Sequence, residues 1–348
     1  MRNYPKFKVA AMHASPVFLD SEKTTDKACA LTEEAANNGA SLVAFPEAFI
    51  PSFPIWGSLR APAFNHDYFR RLAANSVHVP GPEVRRIAEV ARRRGVVVSM
   101  GINEGTTASV GCIWNTNILI GSDGHLLNLH RKIVPTYFEK LTWANGDGAG
   151  LRVVDTELGR IGALICAENC NALARHTMMS QGEQLHIATY PAAWLSGGGL
   201  DLAEGIRIRT EAHCTEAKVF TVATSMYLTD KAKEILADGD TRLRDIMDAA
   251  PRNPTMIMGP SGELKAPVLS ADEGIVYADI DLEDCVIPKQ FHDLAGYMNR
   301  FDIFSLTVDR STNDPVTFSP PRSKRANIDM DLTEDSTGTW TRAAQAAE

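Results

Sequence analysis

No stretch of this 348-residue chain approaches the roughly 18 consecutive apolar residues that a membrane span needs. The first residues, MRNYPKFKVAAMHASPVF, carry basic side chains but no uninterrupted apolar run of signal-peptide length, so a cytoplasmic protein is expected. There is no excess of basic charge either. Lys and Arg number 35 against 43 Asp and Glu, and the net charge of −8 argues against a nucleic-acid or anionic-membrane partner and for a small-molecule one. No CxxC occurs, and the nine histidines form no HxxxH or Cys/His set at zinc spacing, so neither a metal site nor a cofactor is expected. The six cysteines, Cys29, Cys112, Cys166, Cys170, Cys214 and Cys285, are far too sparse for a disulfide scaffold. In a reducing compartment most would serve as small core residues. No segment repeats at a period of 20 to 50 residues, which excludes a solenoid, and the glycine run at Gly197 lacks the Lys-Ser/Thr of a phosphate cradle and suits a flexible loop.

What the chain does have is alternation. Strand-like runs at FKVAAMHA, SLVAFPE, VVVSMGIN, NTNILIG, HLLNLHRK, RIGALIC, LHIATYP and KVFTVAT are separated by helical stretches, among them Thr24 to Asn38, EVRRIAEVARRRG, Ala172 to Gln181 and Asp201 to Glu216. Such a pattern predicts an α/β fold of stacked sheet and helix layers. Gly182 is placed to cap the helix before it. The charged segment from Leu228 to Pro254 has the character of a surface excursion before strands resume at TMIMGPSGEL and GIVYADIDL. From about Arg310 the composition shifts to Ser, Thr, Asn, Asp, Pro and Arg. Residues 1–310 are therefore expected to form the folded domain and 311–348 an extended or disordered tail.

In layered α/β folds, sites form at the carboxyl ends of strands. Three reactive side chains stand at such ends: Glu47 just after SLVAFP, where Pro46 turns the chain out of the sheet, Lys132 after LLNLHR, and Cys166 after RIGALI. Taken singly, each has an ordinary explanation as a solvated turn residue, a surface charge or a core thiol. Together they supply the acid, amine and thiol of a covalent acyl-transfer enzyme.

The blocks FPEAFIPSFP, HRKIVPTYFEKLTWANGDG and ICAENCNALARHTMMSQGEQLHIATYP resemble, in order and separation, the three signature blocks of the nitrilase superfamily of carbon-nitrogen hydrolases. The third is most similar to the nitrilase branch, and FHDLAGYMNRFDIFSLTVD resembles the segment that follows the catalytic domain there. The resemblance spans about Lys6 to Asp309. It implies an α-β-β-α sandwich assembled as a homodimer or larger spiral homo-oligomer. It further implies Glu47 as general base, Lys132 as the group that stabilises substrate charge, Cys166 as nucleophile and Glu139 as an assisting acid. The implied reaction is hydrolysis of an organic nitrile to the carboxylic acid and ammonia through a thioimidate and thioester. An amidase or N-carbamoyl hydrolase with the same triad, or a cyanide-degrading relative, is the alternative.

A free thiol with a pKa near ~8.5 is only about 3% thiolate at neutral pH. Either a nearby Lys132 ammonium lowers it by ~1 to 2 units, or Glu47 takes the thiol proton directly. Lys132 and the Ala167 backbone N–H would supply the dipoles that steady the developing negative charge. Nitrilases commonly carry tryptophan after the nucleophile and an aromatic near position 170; this chain has Ala167 and Cys170, which predicts an opened pocket tolerant of bulky or aromatic nitriles. Candidate walls are Trp143, Ala167, Cys170, Tyr190, Pro191 and Trp194. Glu168 is expected to be structural, its carboxylate set against the N-terminus of the helix from Ala172.

Overall fold

A computed structural model describes residues 4–195, 201–313, 332–334 and 340–342; the glycine run at Gly197 lies outside them. The chain opens with β1 (Lys6–His13), α1 (Ser21–Asn37), β2 (Ala40–Ala44), α2 (Trp56–Leu59), α3 (His66–Ala74), α4 (Pro82–Arg94), β3 (Val97–Thr106), β4 (Ser109–Ile120) and β5 (Leu126–Arg131). There follow β6 (Val154–Thr156), β7 (Gly159–Ile165), α5 (Ala172–Ser180), β8 (Leu185–Tyr190), α6 (Leu202–Ala217), β9 (Phe220–Ser225), α7 (Asp230–Ala237), α8 (Thr241–Ala249), β10 (Met256–Met258), β11 (Gly274–Asp281) and α9 (Val286–Phe291). One sheet runs β11-β1-β2-β3-β4-β5 and a second β10-β9-β8-β7-β6.

Period-two alternation explains the layering. Val9 and Ala11 of β1, with Leu42 and Ala44 of β2, meet Ile161, Ala163, Leu185, Ile187 and Val222 of the second sheet in one buried cluster. The intervening Ala10, Met12 and Val43 point the other way, onto Ala28 and Ala35 of α1 and Val84, Ile87 and Ala91 of α4. On the outer face of the second sheet, Ala188 and Tyr190 pack on Ile206 and Cys214 of α6, and Leu164 packs on Ala174 and Met178 of α5. The sheets therefore lie face to face between helical layers, as the alternation predicted.

Local chemistry sets the ends of these elements. Asp20 caps α1 by accepting from Lys23 N at 2.9 Å. Pro82 opens α4 and Gly95, at φ +65°, closes it. Gly182 does take the left-handed conformation expected of a cap, at φ +77°, after α5.

Residues 228–254 are not a surface excursion. They form α7 and α8, whose Leu236, Ala237 and Met247 are buried in an aromatic cluster with Trp56, Phe138 and Trp194. The segment's high charge hid a narrow apolar stripe, and beside it the buried Lys233, paired to Asp248 at 2.6 Å. The described chain divides into a unit of Met1–Thr312 and a unit of Asn313–Glu348. In the latter, β12 (Leu332–Glu334) pairs antiparallel with β13 (Trp340–Arg342).

The turn after β2 lies directly against β3 at Gly101, where an added Cβ would sit 2.2 Å from Pro46 O and 2.5 Å from Ala48 N. Gly101→Ala is thus expected to lower unfolding free energy by roughly 1–3 kcal/mol, read as a lower urea midpoint at unchanged slope. An unchanged midpoint would show that the turn is free to shift.

Candidate active site

Four side chains named from the sequence come together at the seam between the two sheets. Glu47 stands three residues beyond β2, Lys132 directly beyond β5, Glu139 in the 3-10 turn Tyr137–Leu141, and Cys166 directly beyond β7. All four are buried. The Lys132 ammonium lies 2.8 Å from Glu47 Oε1 and 2.7 Å from Glu139 Oε2. One donor atom each from Glu47, Glu139 and Cys166 lies within 4.8 Å of the others. That set has the makings of a cation site, but the cation it holds is the lysine's own ammonium.

Further hydrogen bonds orient each group. Asn115 Nδ2 donates to Glu47 Oε1 at 2.7 Å, and Thr136 N donates to Glu139 Oε2 at 2.6 Å as half of a capping box. The second oxygens, Glu47 Oε2 and Glu139 Oε1, are buried without a partner among the described residues. The backbone is strained at the same places: Ala48, Tyr137 and Cys166 have φ of +48°, +49° and +49°, a conformation that non-glycine residues rarely adopt. At the Cys166 elbow the Ala167 N–H is directed at the sulfur.

Electrostatics separates the roles. Burial drives the Glu47 carboxyl up to about 7, against the pull of Lys132 and with the help of the Glu139 charge. Burial opposes the Lys132 ammonium, yet the carboxylates of Glu139 and Glu47 outweigh it and hold Lys132 well above the ordinary lysine range. Burial, then the charge of Glu47, pushes the Cys166 thiol well above its ordinary value, and the nearby ammonium does not reverse this. Of the two routes the sequence left open, a thiolate preformed by Lys132 is disfavoured: the thiol is held toward its protonated form, and the group poised near neutral pH is Glu47. Lys132 is already paired twice, so little of its field is left for the thiol.

Glu168 also departs from expectation. The N-cap of α5 is Asn171, which accepts from Leu173 N and Ala174 N. Glu168 is buried instead, accepting from Ile133 N and Ile165 N, both at 2.7 Å, with His130 Nε2 at 2.8 Å from Oε2. Against burial, His130 and these two amides hold its carboxyl below the usual range. One carboxylate thus grips the residues on either side of Lys132 and the residue before Cys166, tying the end of β5 to the end of β7.

A cavity of about 270 Å³ opens from Cys166. Ala167, Cys170, Tyr190 and Trp194 line it as anticipated, together with Thr136. Cys170 is exposed, not a core thiol. Trp143 and Pro191 are not among its walls. Trp143 lies behind Lys132, its ring 5.8 Å from the ammonium and its indole N–H donating to Asn103 Oδ1 at 2.8 Å, while Pro191 gives its carbonyl to Asn253 at 2.8 Å. The residues missed are Thr136, Asp201, Leu202, Gly205, Ile206 and Arg209. Positions 202, 205, 206 and 209 share one face of α6, a spacing visible in the sequence but without an anchor to say which cavity that face meets.

A carbon-nitrogen hydrolase family model matches residues 8–287. A protein named Nitrilase 3, from an unknown prokaryotic organism, is 36% identical over 312 residues, covering 89% of this chain and 92% of its own. An aliphatic nitrilase of Rhodococcus rhodochrous is 35% identical over 315 residues, covering 89% of this chain and 84% of its own. In fold, the chain resembles an amidase of Nesterenkonia sp. AN1, solved as a mutant with the acetamide moiety of fluoroacetamide added covalently at its active-site cysteine. That similarity has a TM-score of 0.59 at 15% identity over 81% of this chain and 92% of the other. A buried acid, amine and thiol at three strand ends, on a chain this close to nitrilases over nearly its whole length, place it among the hydrolases of carbon-nitrogen bonds: it belongs to the carbon-nitrogen hydrolase family, in the nitrilase branch.

Proposed function

We propose that the chain is a nitrilase that hydrolyses an organic nitrile to its carboxylic acid and ammonia, with Cys166 as nucleophile, Glu47 as general base, Lys132 as charge stabiliser and Glu139 as an assisting acid. The observation that carries this reading is the contact of Lys132 with both Glu47 and Glu139 beside the Cys166 sulfur. Glu47 takes the thiol proton as sulfur attacks the nitrile carbon, then delivers it to nitrogen, giving a thioimidate. A first water adds to that carbon; with protonation of the amino group, ammonia leaves and a thioester remains. A second water, activated by Glu47, releases the acid and restores the thiol, so one nitrile and two waters give one acid and one ammonia. Lys132 and the Ala167 N–H steady the negative charge that grows on nitrogen and then oxygen.

The Nesterenkonia amidase, with its covalently loaded cysteine, supports Cys166 as the nucleophile. The relatives named nitrilases favour a nitrile over an amide as substrate. Ala167 and Cys170 leave the cavity wall low, and its apolar lining by Tyr190, Trp194, Leu202 and Ile206 suits a bulky or aromatic nitrile. Among the described residues no helix is long and apolar enough to cross a membrane. We place the enzyme in the cytoplasm and further propose that it is a homo-oligomer, the latter because the C-terminal part of the first unit exposes the large apolar side chains Phe291, Tyr297, Phe301, Ile303 and Phe304.

Ammonia release from a panel of nitriles and matching amides is expected to favour nitriles, aromatic ones included. Equal turnover of amides, or none of nitriles, would move the assignment to an amidase. Cys166→Ala should lower turnover by roughly 10³-fold or more and Glu47→Gln by about 10²-fold or more. Because Glu47 accepts a proton only when ionised, kcat/KM should rise with pH through a midpoint near the carboxyl's value of about 7 and fall below it. A flat profile across that range would remove Glu47 as the base. Ala167→Trp should cost aromatic nitriles about 10-fold or more in kcat/KM while sparing small aliphatic ones. Phe301→Glu with Phe304→Glu should reduce the sedimentation coefficient; an unchanged value would place the interface elsewhere.

A further inference from the structure

Behind the nucleophile, on the helix side of the second sheet, a second buried set of charged groups takes no part in the chemistry above. His186 of β8 and His213 of α6 stack with ring centres 3.8 Å apart and planes at 24°. The Glu183 carboxylate lies between them, Oε1 at 2.7 Å from His186 Nδ1 and Oε2 at 2.7 Å from His213 Nε2. Room for it comes from Gly162 of β7, where an added Cβ would meet Glu183 Oε1 at 2.0 Å. The other ring nitrogen of His186, Nε2, is 2.9 Å from Asn169 Oδ1. Asn169 in turn donates through Nδ2 to Cys166 O at 3.1 Å and Leu164 O at 3.3 Å.

Counting donors and acceptors fixes the protons. Two carbonyls, which only accept, hold the Asn169 NH₂, so its oxygen must face His186. That oxygen only accepts, so His186 Nε2 carries hydrogen. Glu183 is held down at about 2, with burial outweighed by the two histidines, and an ionised carboxylate also only accepts, so His186 Nδ1 carries hydrogen as well. His213 needs only the Nε2 hydrogen; its Nδ1 has no partner among the described residues. Burial and the charge on His186, with a smaller push from Arg175 of α5, lower His213 to about 4 and keep it neutral. Arg175 is itself paired with Glu216 at 2.8 Å.

We propose that the chain Glu183–His186–Asn169, with hydrogen on both ring nitrogens of His186, is a positioning device, gripping the carbonyls of Leu164 and Cys166 at the strained Cys166 elbow so that the sulfur and the Ala167 N–H keep their aim. The buried charges of Glu183 and His186 cancel. The grip acts on the carbonyl of the residue at φ +49°, the place where a small rotation moves the sulfur most. His186, Glu183 and Asn169 are positioning residues and touch no reacting atom.

The positioning role rests on Cys166 being the nucleophile, whereas the protonation state does not, and the test separates the two. Solid-state NMR on the full-length enzyme labelled with ¹⁵N-histidine, with His186 assigned by proximity to the Asn169 amide, is expected to show both His186 nitrogens protonated at about pH 7.5. A bare nitrogen on His186 there overturns the proposal whatever the enzyme hydrolyses. So does stoichiometric zinc bound by Glu183, His186 and His213 in the purified protein. Glu183→Gln keeps the shape and removes the anion. It is expected to give one bare nitrogen on His186 and to lower kcat roughly 10- to 100-fold with KM within about threefold. A folded Glu183→Gln enzyme with kcat within about twofold of the parent ends the positioning role, even if His186 is an imidazolium.

Discussion

A lysine ammonium almost wholly removed from water, with side-chain exposure of 1%, organises the site. An isolated buried charge of this kind is strongly unfavourable, and the two carboxylates at 2.8 and 2.7 Å offset that cost. Three charges in one dry volume leave a net negative centre. This has two consequences: Lys132 stays cationic, and Glu47 gives up ionisation until near neutrality. The thiol beside them is held toward its protonated form, first by burial and then because another anion would add to the negative charge of Glu47. Under the proposed mechanism, a carboxyl that titrates near neutrality next to a thiol that does not ionise by itself is the arrangement in which proton removal and attack on carbon would occur together.

The triplet requires the two sheets to hold register with each other at one point. Glu47 and Lys132 come from strand ends of the first sheet and Cys166 from a strand end of the second. Glu168 makes that register local, since it binds the amides of Ile133 and Ile165 and faces His130. Residues 166 to 169 thus act as a fastening: Cys166 turns through a left-handed conformation, Glu168 holds the seam between the sheets, and Asn169 holds the helix side. The strain at Ala48, Tyr137 and Cys166 persists because packing on all sides over-determines those turns.

Much of this was legible before any coordinates. Strand runs such as FKVAAMHA and RIGALI showed themselves because inner and outer faces are both apolar but bounded by turn residues, and α1 and α4 by their caps and period. Glu47, Lys132 and Cys166 stood out because each follows a strand end within three residues. Other features were hidden for physical reasons. The α7–α8 pair was lost because two short helices bury only a thin stripe under many charges. Trp143 suggested a pocket wall, but whether an aromatic faces a cavity or the core behind it depends on side-chain direction, which spacing does not carry. Of the two routes to a reactive sulfur that the sequence left open, depression of the thiol pKa by the ammonium is opposed by burial of the thiol and by the two carboxylates on which that ammonium's field is spent.

By itself the sequence determined the layered α/β architecture, the family, and which acid, amine and thiol lie at strand ends, because those depend on periodicity and on chemistry carried by single residues. Only the tertiary structure decided towards which protonation state each is held, what joins the two sheets at Cys166, and which face of α6 lines the cavity. Protonation depends on burial and on charges distant in sequence, and a bridging carboxylate such as Glu168 is indistinguishable from a helix-capping one until the strands it joins are side by side.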